Sequence, residues 1–535
     1  MKNYIPFYLL ILSFFSFHTY SQKNKIATAD KQYANYAYIN AIETYERVAS
    51  KGYKSADMFK KLGNAFYFNA EFDKAAKWYD ELFAMTNDVE PEYYYRYAQS
   101  LKSTNRTEKA NQMLDLFSQH SKNDTRAKLY KKNENYLDLI KANSGRYTIE
   151  DSGINSKFSD YGTTFFQNKI VFTTARDTGG LGQQRHKWTG ESFTNLYEAV
   201  LDENFNPSVP KKIKSKINSK FHESTPTFTK DGTTVYFTRN NYMDGKKGKN
   251  EQKTTFIKIY KATLNQKKEW DNIVELPFNS NDYSTAHPTL SPDEKTLYFA
   301  SDMPGTLGQS DLFKVQIHKD GTFGKPENLG NKINTEGRET FPFVNEKELY
   351  FASDGRPGLG GLDIFASRIK ANGTYDDVLN VGEPVNSKQD DFAFSIDSRS
   401  RSGYFSSNRE NGLGMDDIYR FTETRRLICE QNLSGTVTDA ETNEILANTS
   451  LTLFNEKFDP VGTITTDEKG NYIFPDLRCG KKYTIRTAKN DYNAKEVAVT
   501  ILKEKGETTQ LIGLNKVFKP LVAKTVAIKK VAISP

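Results

Sequence analysis

The residues able to do chemistry are few and dispersed. Of six histidines in 535 residues, only His222 and His287 recur in similar surroundings, shortly before Pro226 and immediately before Pro288. Repeat-determined packing explains that pair more simply than a shared metal. Neither Gly-x-Ser-x-Gly nor His-Glu-x-x-His occurs, so the serine-hydrolase and zincin readings lack their local signatures. The loops Gly179-Gly180-Leu181-Gly182, Gly305-Thr306-Leu307-Gly308, Gly358-Leu359-Gly360-Gly361 and Gly412-Leu413-Gly414 resemble phosphate cradles in composition. Each joins two strand-like segments instead of opening a helix, which predicts hairpin loops. Asp302 and Asp354 end strand-like segments, and Asp311, Asp363 and Asp417 begin them. A calcium site gathers six or more oxygens, so one or two carboxylates per segment read as turn formers. No catalytic, metal-binding or cofactor-binding residues are assigned. Lys246, Lys247, Lys249 and Lys253 lie in an insertion, which reads as a solvated loop or as a binding edge.

These residues must be held by several domains, since a prior of roughly 150 residues per domain gives three or four. A mean hydropathy of −0.70 excludes a polytopic membrane protein. Aromatic residues make up 13% of the chain, with 36 Phe and 31 Tyr, a bias that favours half-buried strands. The formal charge of +7, from 74 basic and 67 acidic residues, is too small to imply nucleic acid. At the N-terminus, Lys2 precedes an apolar run from Ile5 to Phe17, followed by Thr19 and Ser21. This predicts a cleaved export signal over 1–21, with the mature chain starting at Gln22. No Cys adjoins that cut to carry a lipid. The two cysteines, Cys429 and Cys479, are then expected to form a disulfide in an oxidising compartment.

A helical period comes first. Ala41, Ala75 and Ala110 are 34 and 35 residues apart, each followed four residues later by Tyr45, Tyr79 or Leu114. That is the tetratricopeptide period, expected over 22–142, with a last helix from Ala127 to Ala142. Its concave surface would bind a peptide or protein, through Tyr93, Tyr94 and Tyr97 among others.

From residue 143 the pattern turns strand-like. Five copies carry Ile170-Val171-Phe172, Val235-Tyr236-Phe237, Leu297-Tyr298-Phe299, Leu349-Tyr350-Phe351 and Gly403-Tyr404-Phe405. Between them recur Asn155-Ser156, Asn218-Ser219, Asn279-Ser280, Asn334-Thr335 and Asn386-Ser387. Copies of 50 to 65 residues made of short strands indicate a β-propeller over 143–428, one four-stranded sheet per copy. Five blades are expected, six being the alternative, with Tyr147-Thr148-Ile149 completing the last.

The third copy, Pro288-Thr289-Leu290-Ser291-Pro292-Asp293 through Asp311-Leu312-Phe313, resembles the WD40-like repeat of the periplasmic TolB propeller. Farther on, Leu433-Ser434-Gly435-Thr436-Val437-Thr438-Asp439, Thr466-Asp467-Glu468-Lys469-Gly470-Asn471-Tyr472 and Cys479-Gly480-Lys481-Lys482-Tyr483 resemble the carboxypeptidase-regulatory-like β-sandwich, over 429–515. A basic tail, 516–535, follows. This order of modules is similar to that of OmpA-family envelope proteins of Bacteroidota, including the PorE-like component of type IX secretion. The resemblance implies a non-catalytic periplasmic scaffold at the outer membrane, with outer-membrane or periplasmic protein partners. The family's C-terminal peptidoglycan-binding motif, Asn-x-x-Leu-Ser-x-x-Arg-Ala, is not found, so cell-wall binding is not expected. The other readings are a glycan- or peptide-binding envelope protein, and a propeller-borne glycan hydrolase or lyase using paired carboxylates.

Overall fold

The computed structural model describes residues 22–179, 185–370, 372–427, 429–502 and 506–518. The expected export signal lies outside these residues, as do Lys519, Lys524, Lys529 and Lys530 of the tail. Two compact units meet between Arg425 and Arg426.

The first unit opens with eight described helices. These are α1 (22–34), α2 (Tyr38–Ala49), α3 (Ala56–Phe68), α4 (Phe72–Met85), α5 (Pro91–Ser103), α6 (Thr107–His120), α7 (Thr125–Lys132) and α8 (Tyr136–Asn143). Ser55 caps α3 by accepting the Met58 N–H, and Pro91 opens α5, where no helical N–H is needed. The turns α1–α2, α3–α4 and α5–α6 each contain one left-handed residue, Tyr36, Ala70 and Asn105. These three repeat at the period of Ala41, Ala75 and Ala110, all of which are fully buried where helices meet. The single helix expected from Ala127 to Ala142 is instead two. The Asn133 side chain donates to the Leu129 carbonyl and ends α7, because a short amide competes with helical backbone bonds.

Five four-stranded antiparallel sheets follow. Sheet one comprises Asp160–Phe166, Lys169–Thr174, Asn195–Val200 and Lys211–Lys212; sheet two comprises Glu223–Phe228, Thr234–Asn240, Ile257–Leu264 and Trp270–Glu275. Sheet three is Thr285–Leu290, Thr296–Ser301, Asp311–Gln316 and Glu327–Asn328; sheet four is Glu339–Val344, Glu348–Ser353, Asp363–Arg368 and Leu379–Asn380. Sheet five takes Asp391–Ile396, Ser402–Ser407 and Asp417–Glu423 from one stretch of chain, and its fourth strand, Tyr147–Asp151, from far upstream. Tyr147 lies opposite Glu423 and Asp151 opposite Tyr419. The first strands of consecutive sheets touch, and that of sheet one also touches that of sheet five.

The Asn marker explains part of this order. In every copy its amide clasps the backbone of the preceding sheet's third strand. Asn334 accepts the Leu312 N–H at 2.8 Å and donates to the Leu312 carbonyl at 3.0 Å. Asn218 does the same to Leu196, Asn279 to Ile259 and Asn386 to Ile364. Asn155 does so to Ile418, 263 residues away, fastening sheet one to sheet five.

The second unit is a β-sandwich-like domain. One sheet orders Asn471–Arg478 and Glu430–Asp439, the latter also pairing in parallel with Glu507–Thr509 and Ile512–Leu514. The other orders Pro460–Thr465, Ser450–Phe454, Lys482–Ala488 and Lys495–Thr500. Alternation along the strands buries Leu433, Val437, Leu451, Leu453, Phe474 and Ile485 between the sheets.

Candidate functional site

One face of the helices is occupied by the chain's own loops. The Tyr67 hydroxyl donates to Asp354 Oδ2 at 3.1 Å, and Tyr95 and Gln99 donate to the Asp354 carbonyl at 2.5 and 3.1 Å. Lys102 Nζ donates to the Gly358 carbonyl at 3.2 Å, and the Thr125 N–H to Glu336 at 2.9 Å. Arg338 completes the junction, its Nε 2.8 Å from Asp354 and its guanidinium 5.7 Å from the Tyr67 ring centre. The Gly358 loop is thus an intramolecular ligand of the helices. Burial pushes the Lys102 ammonium below its ordinary pKa and the Asp363 carboxyl above its own.

Tyr94 and Tyr97 do not form an open binding surface. Both are buried, with hydroxyls bonded to the Asn87 carbonyl and to Asp80, respectively. With Ala98 and Leu101 they make the i, i+3, i+4, i+7 stripe that faces a helical core, a spacing present in the sequence. Tyr93 is half-buried, with Lys60 Nζ 4.9 Å from its ring centre.

The aspartates act in turns. Asp311, Asp363 and Asp417 accept N–H bonds from Leu307, Leu359 and Gly414, closing the glycine loops that precede them. The part of the first glycine loop over 180–182 lies outside the described residues. A further set escaped sequence reasoning. Asp160, Glu223, Glu339 and Asp391 open their first strands, fully buried, and accept the N–H of Ser156, Ser219, Thr335 and Ser387. Three of them pair with Arg176, Arg239 and Arg409 at 2.7–2.9 Å. An acid four residues after the Ser or Thr of four of the five markers was the available signal, Ser280 being followed by Ser284 instead. Among the described residues, no group of three or more His, Cys, Asp or Glu is placed to hold a metal.

Two further surfaces stand out among the described residues. A cavity of about 350 Å³ lies between the first strands of all five sheets. Each of these strands breaks register at one left-handed residue, Gly162, Thr225, His287, Phe341 or Ala393. Such a bulge bends the strand and re-aims its side chains. Proline follows in three of the five, Pro226, Pro288 and Pro342, removing donors from an edge that would otherwise invite another strand. His287 stacks on Phe341 at 3.8 Å, and burial drives its pKa down to about 3, so the ring is neutral. His222 instead accepts the Thr194 N–H at 3.1 Å and packs on His186 and Phe193, away from His287.

The other open surface is the lysine insertion. Lys246 and Lys247 form one arm of a hairpin against Tyr242–Met243, turned by left-handed Asp244 and Gly245. Lys247 Nζ sits 4.6 Å from the Phe221 ring centre, and Lys249 is exposed beyond it. Burial, then the charges of Lys249 and Lys187, hold Lys247 below the ordinary lysine value. Among the described residues, no carboxylate pairs with Lys246, Lys247 or Lys249.

In the second unit Cys429 and Cys479 are joined by a disulfide with Cα atoms 5.5 Å apart. It ties the start of one strand to the end of its neighbour, since Glu430 lies opposite Arg478. The sandwich belongs to a class of small β modules punctuated by Asp and Gly turns. Its residues 432–514 match the carboxypeptidase regulatory-like domain. No curated protein matches the chain. Among solved structures, 3-chlorocatechol 1,2-dioxygenase from Rhodococcus opacus 1CP is similar at 15% identity and TM-score 0.14, over 17% of this chain and 60% of that one. The C-terminal domain of the shaft pilin spaA from Lactobacillus rhamnosus GG gives 12% and 0.14, over 17% and 99%. An α-L-arabinofuranosidase from Lactobacillus brevis gives 12% and 0.32, over 54% and 94%.

Proposed function

We propose that this chain is a non-catalytic scaffold of the periplasm, associated with the outer membrane, that works by binding proteins. Its five sheets are read as the blades of a closed propeller. The Asn155 clasp on Ile418 and the contact between the first strands of sheets one and five support that reading. Its relatives in this view are the OmpA-family envelope proteins, and its partners include components of type IX secretion or gliding machinery.

The observation that carries the proposal is the pairing of a filled surface with an open one. The helices' polar and aromatic face is spent on Asp354 and Gly358, which unites helices and sheets into one body. The Lys246–Lys249 hairpin projects from that body without acidic partners, so an acidic protein surface complements it. A photo-crosslinking residue placed at Lys246 or Lys249 in intact cells should capture outer-membrane or periplasmic proteins. The same residue at buried Tyr97 should capture none. Equal capture from both positions, or none from the hairpin, would remove the proposal.

A further inference from the structure

The cavity between the five first strands lies toward the ends of the sheets opposite the helical contacts. Helical contacts fall on Asp354, Gly358 and Glu336, at the ends where second strands finish and first strands begin. The cavity is lined at the opposite ends, by the first-to-second-strand turns that contain Lys230, Glu294, Glu346 and Arg399. At about 350 Å³ it falls at the small end of the roughly 300–1,000 Å³ typical of ligand pockets.

Its polar groups fall into two sets, charged and neutral. Charged side chains occur in the rim turns, where Glu294 accepts the Lys230 N–H, Glu346 accepts the Ser398 hydroxyl and Asp397 closes its own turn. The lining also holds the Thr227 and Thr289 hydroxyls and the neutral His287 imidazole, while the Thr225 hydroxyl is engaged by Ser224, Thr238 and His287. His287 Nδ1 is 3.0 Å from Thr225 Oγ1, while its Nε2 and the Thr289 hydroxyl have no hydrogen-bond partner among the described residues. The lining also includes the rings of Pro226, Pro288, Pro342 and Phe341, the last stacked on His287.

We infer that this cavity binds a neutral saccharide unit of one or two rings. A sugar hydroxyl both donates and accepts, so it satisfies a threonine hydroxyl and either tautomer of His287. The C–H faces of a sugar ring match the proline and phenylalanine walls. Lys230 and Arg399 place cations in the turns of the lining; a carboxylate or phosphate held instead beside the neutral His287 and Thr289 loses hydration that a hydroxyl and an imidazole do not replace. The inference concerns a different surface from the lysine hairpin and stands or falls independently of the scaffold proposal.

Calorimetric titration of the full chain tests it, with N-acetylglucosamine, maltose, cellobiose and xylobiose as neutral probes. Glucuronate and an acetylated trialanine amide serve as a charged and a peptide probe. At least one neutral sugar should bind. Thr289→Val, which keeps the side chain's shape, and His287→Asn, which suits a left-handed backbone, should each weaken that sugar about tenfold or more. Circular dichroism should show both variants folded. Silence from all four sugars, tighter binding of glucuronate or the peptide, or unchanged sugar affinity in folded Thr289→Val would each overturn the inference.

Discussion

At the scale of single residues, the first-strand acids set a measurable dependence on pH. Glu339 is fully buried and accepts bonds from the Thr335 N–H and from the Thr335 and Ser353 hydroxyls. Burial outweighs these bonds and raises its pKa from 4.5 to about 7. Below pH 4.5 both folded and unfolded states are protonated, and the stability gained from the raised native value is fully present. Between 4.5 and 7 the unfolded state holds fewer protons than the native one, so stability falls as pH rises. Glu339→Gln keeps an acceptor for the backbone N–H and removes the titration. Denaturant unfolding of wild type and variant from pH 4 to 8 should show wild type losing stability relative to the variant by roughly 3 kcal/mol across that window. A difference that does not move with pH would mean that Glu339 ionises freely in the fold.

At the scale of elements, packing decides a case in which helix propensity points the other way. Gly63 lies inside α3, where Gly→Ala ordinarily gains about 1 kcal/mol. A Cβ at Gly63 would collide with the buried Tyr79 ring, whose hydroxyl is held by Asn64 at 2.9 Å. Overpacking of this kind costs about 1–3 kcal/mol, so Gly63→Ala should destabilise the first unit by about 1–2 kcal/mol in denaturant unfolding. A net gain would mean that Tyr79 moves aside freely. The small residues behind the helical period, and the aromatic doublets of the second strands, were legible in the sequence because their signal is local. The Asn marker was visible too, but its role was not, since its partner is a backbone amide in another copy. The stripe through Tyr94, Tyr97 and Leu101 was present, yet Tyr94 and Tyr97 were assigned to a concave binding surface. The cavity was hidden because it is assembled from five bulges, and a bulge shows only weakly in residue types.

At the scale of the whole molecule, division into two units predicts two separable unfolding events. Helices and sheets share the Asp354 junction and should melt together. The sandwich, with its own core and disulfide, should melt alone. Closing a loop of 50 residues is worth roughly 4 kcal/mol on the chain-entropy account. Calorimetry with and without reductant should therefore shift the sandwich transition downward and leave the other in place. Movement of both transitions would show that the units are not thermally independent.

The strand Tyr147–Asp151 has a history as well as a position. It is synthesised before every other described strand, yet its partner Asp417–Glu423 follows about 270 residues later. At roughly 5–20 residues per second, the ribosome takes roughly 15–50 s to supply that partner. Throughout that interval the nascent chain carries an unpaired strand edge, exposed to any other strand within reach. Sheet five is consequently the last of the first unit's five sheets that can be completed, and premature termination before residue 417 yields a product that cannot complete it.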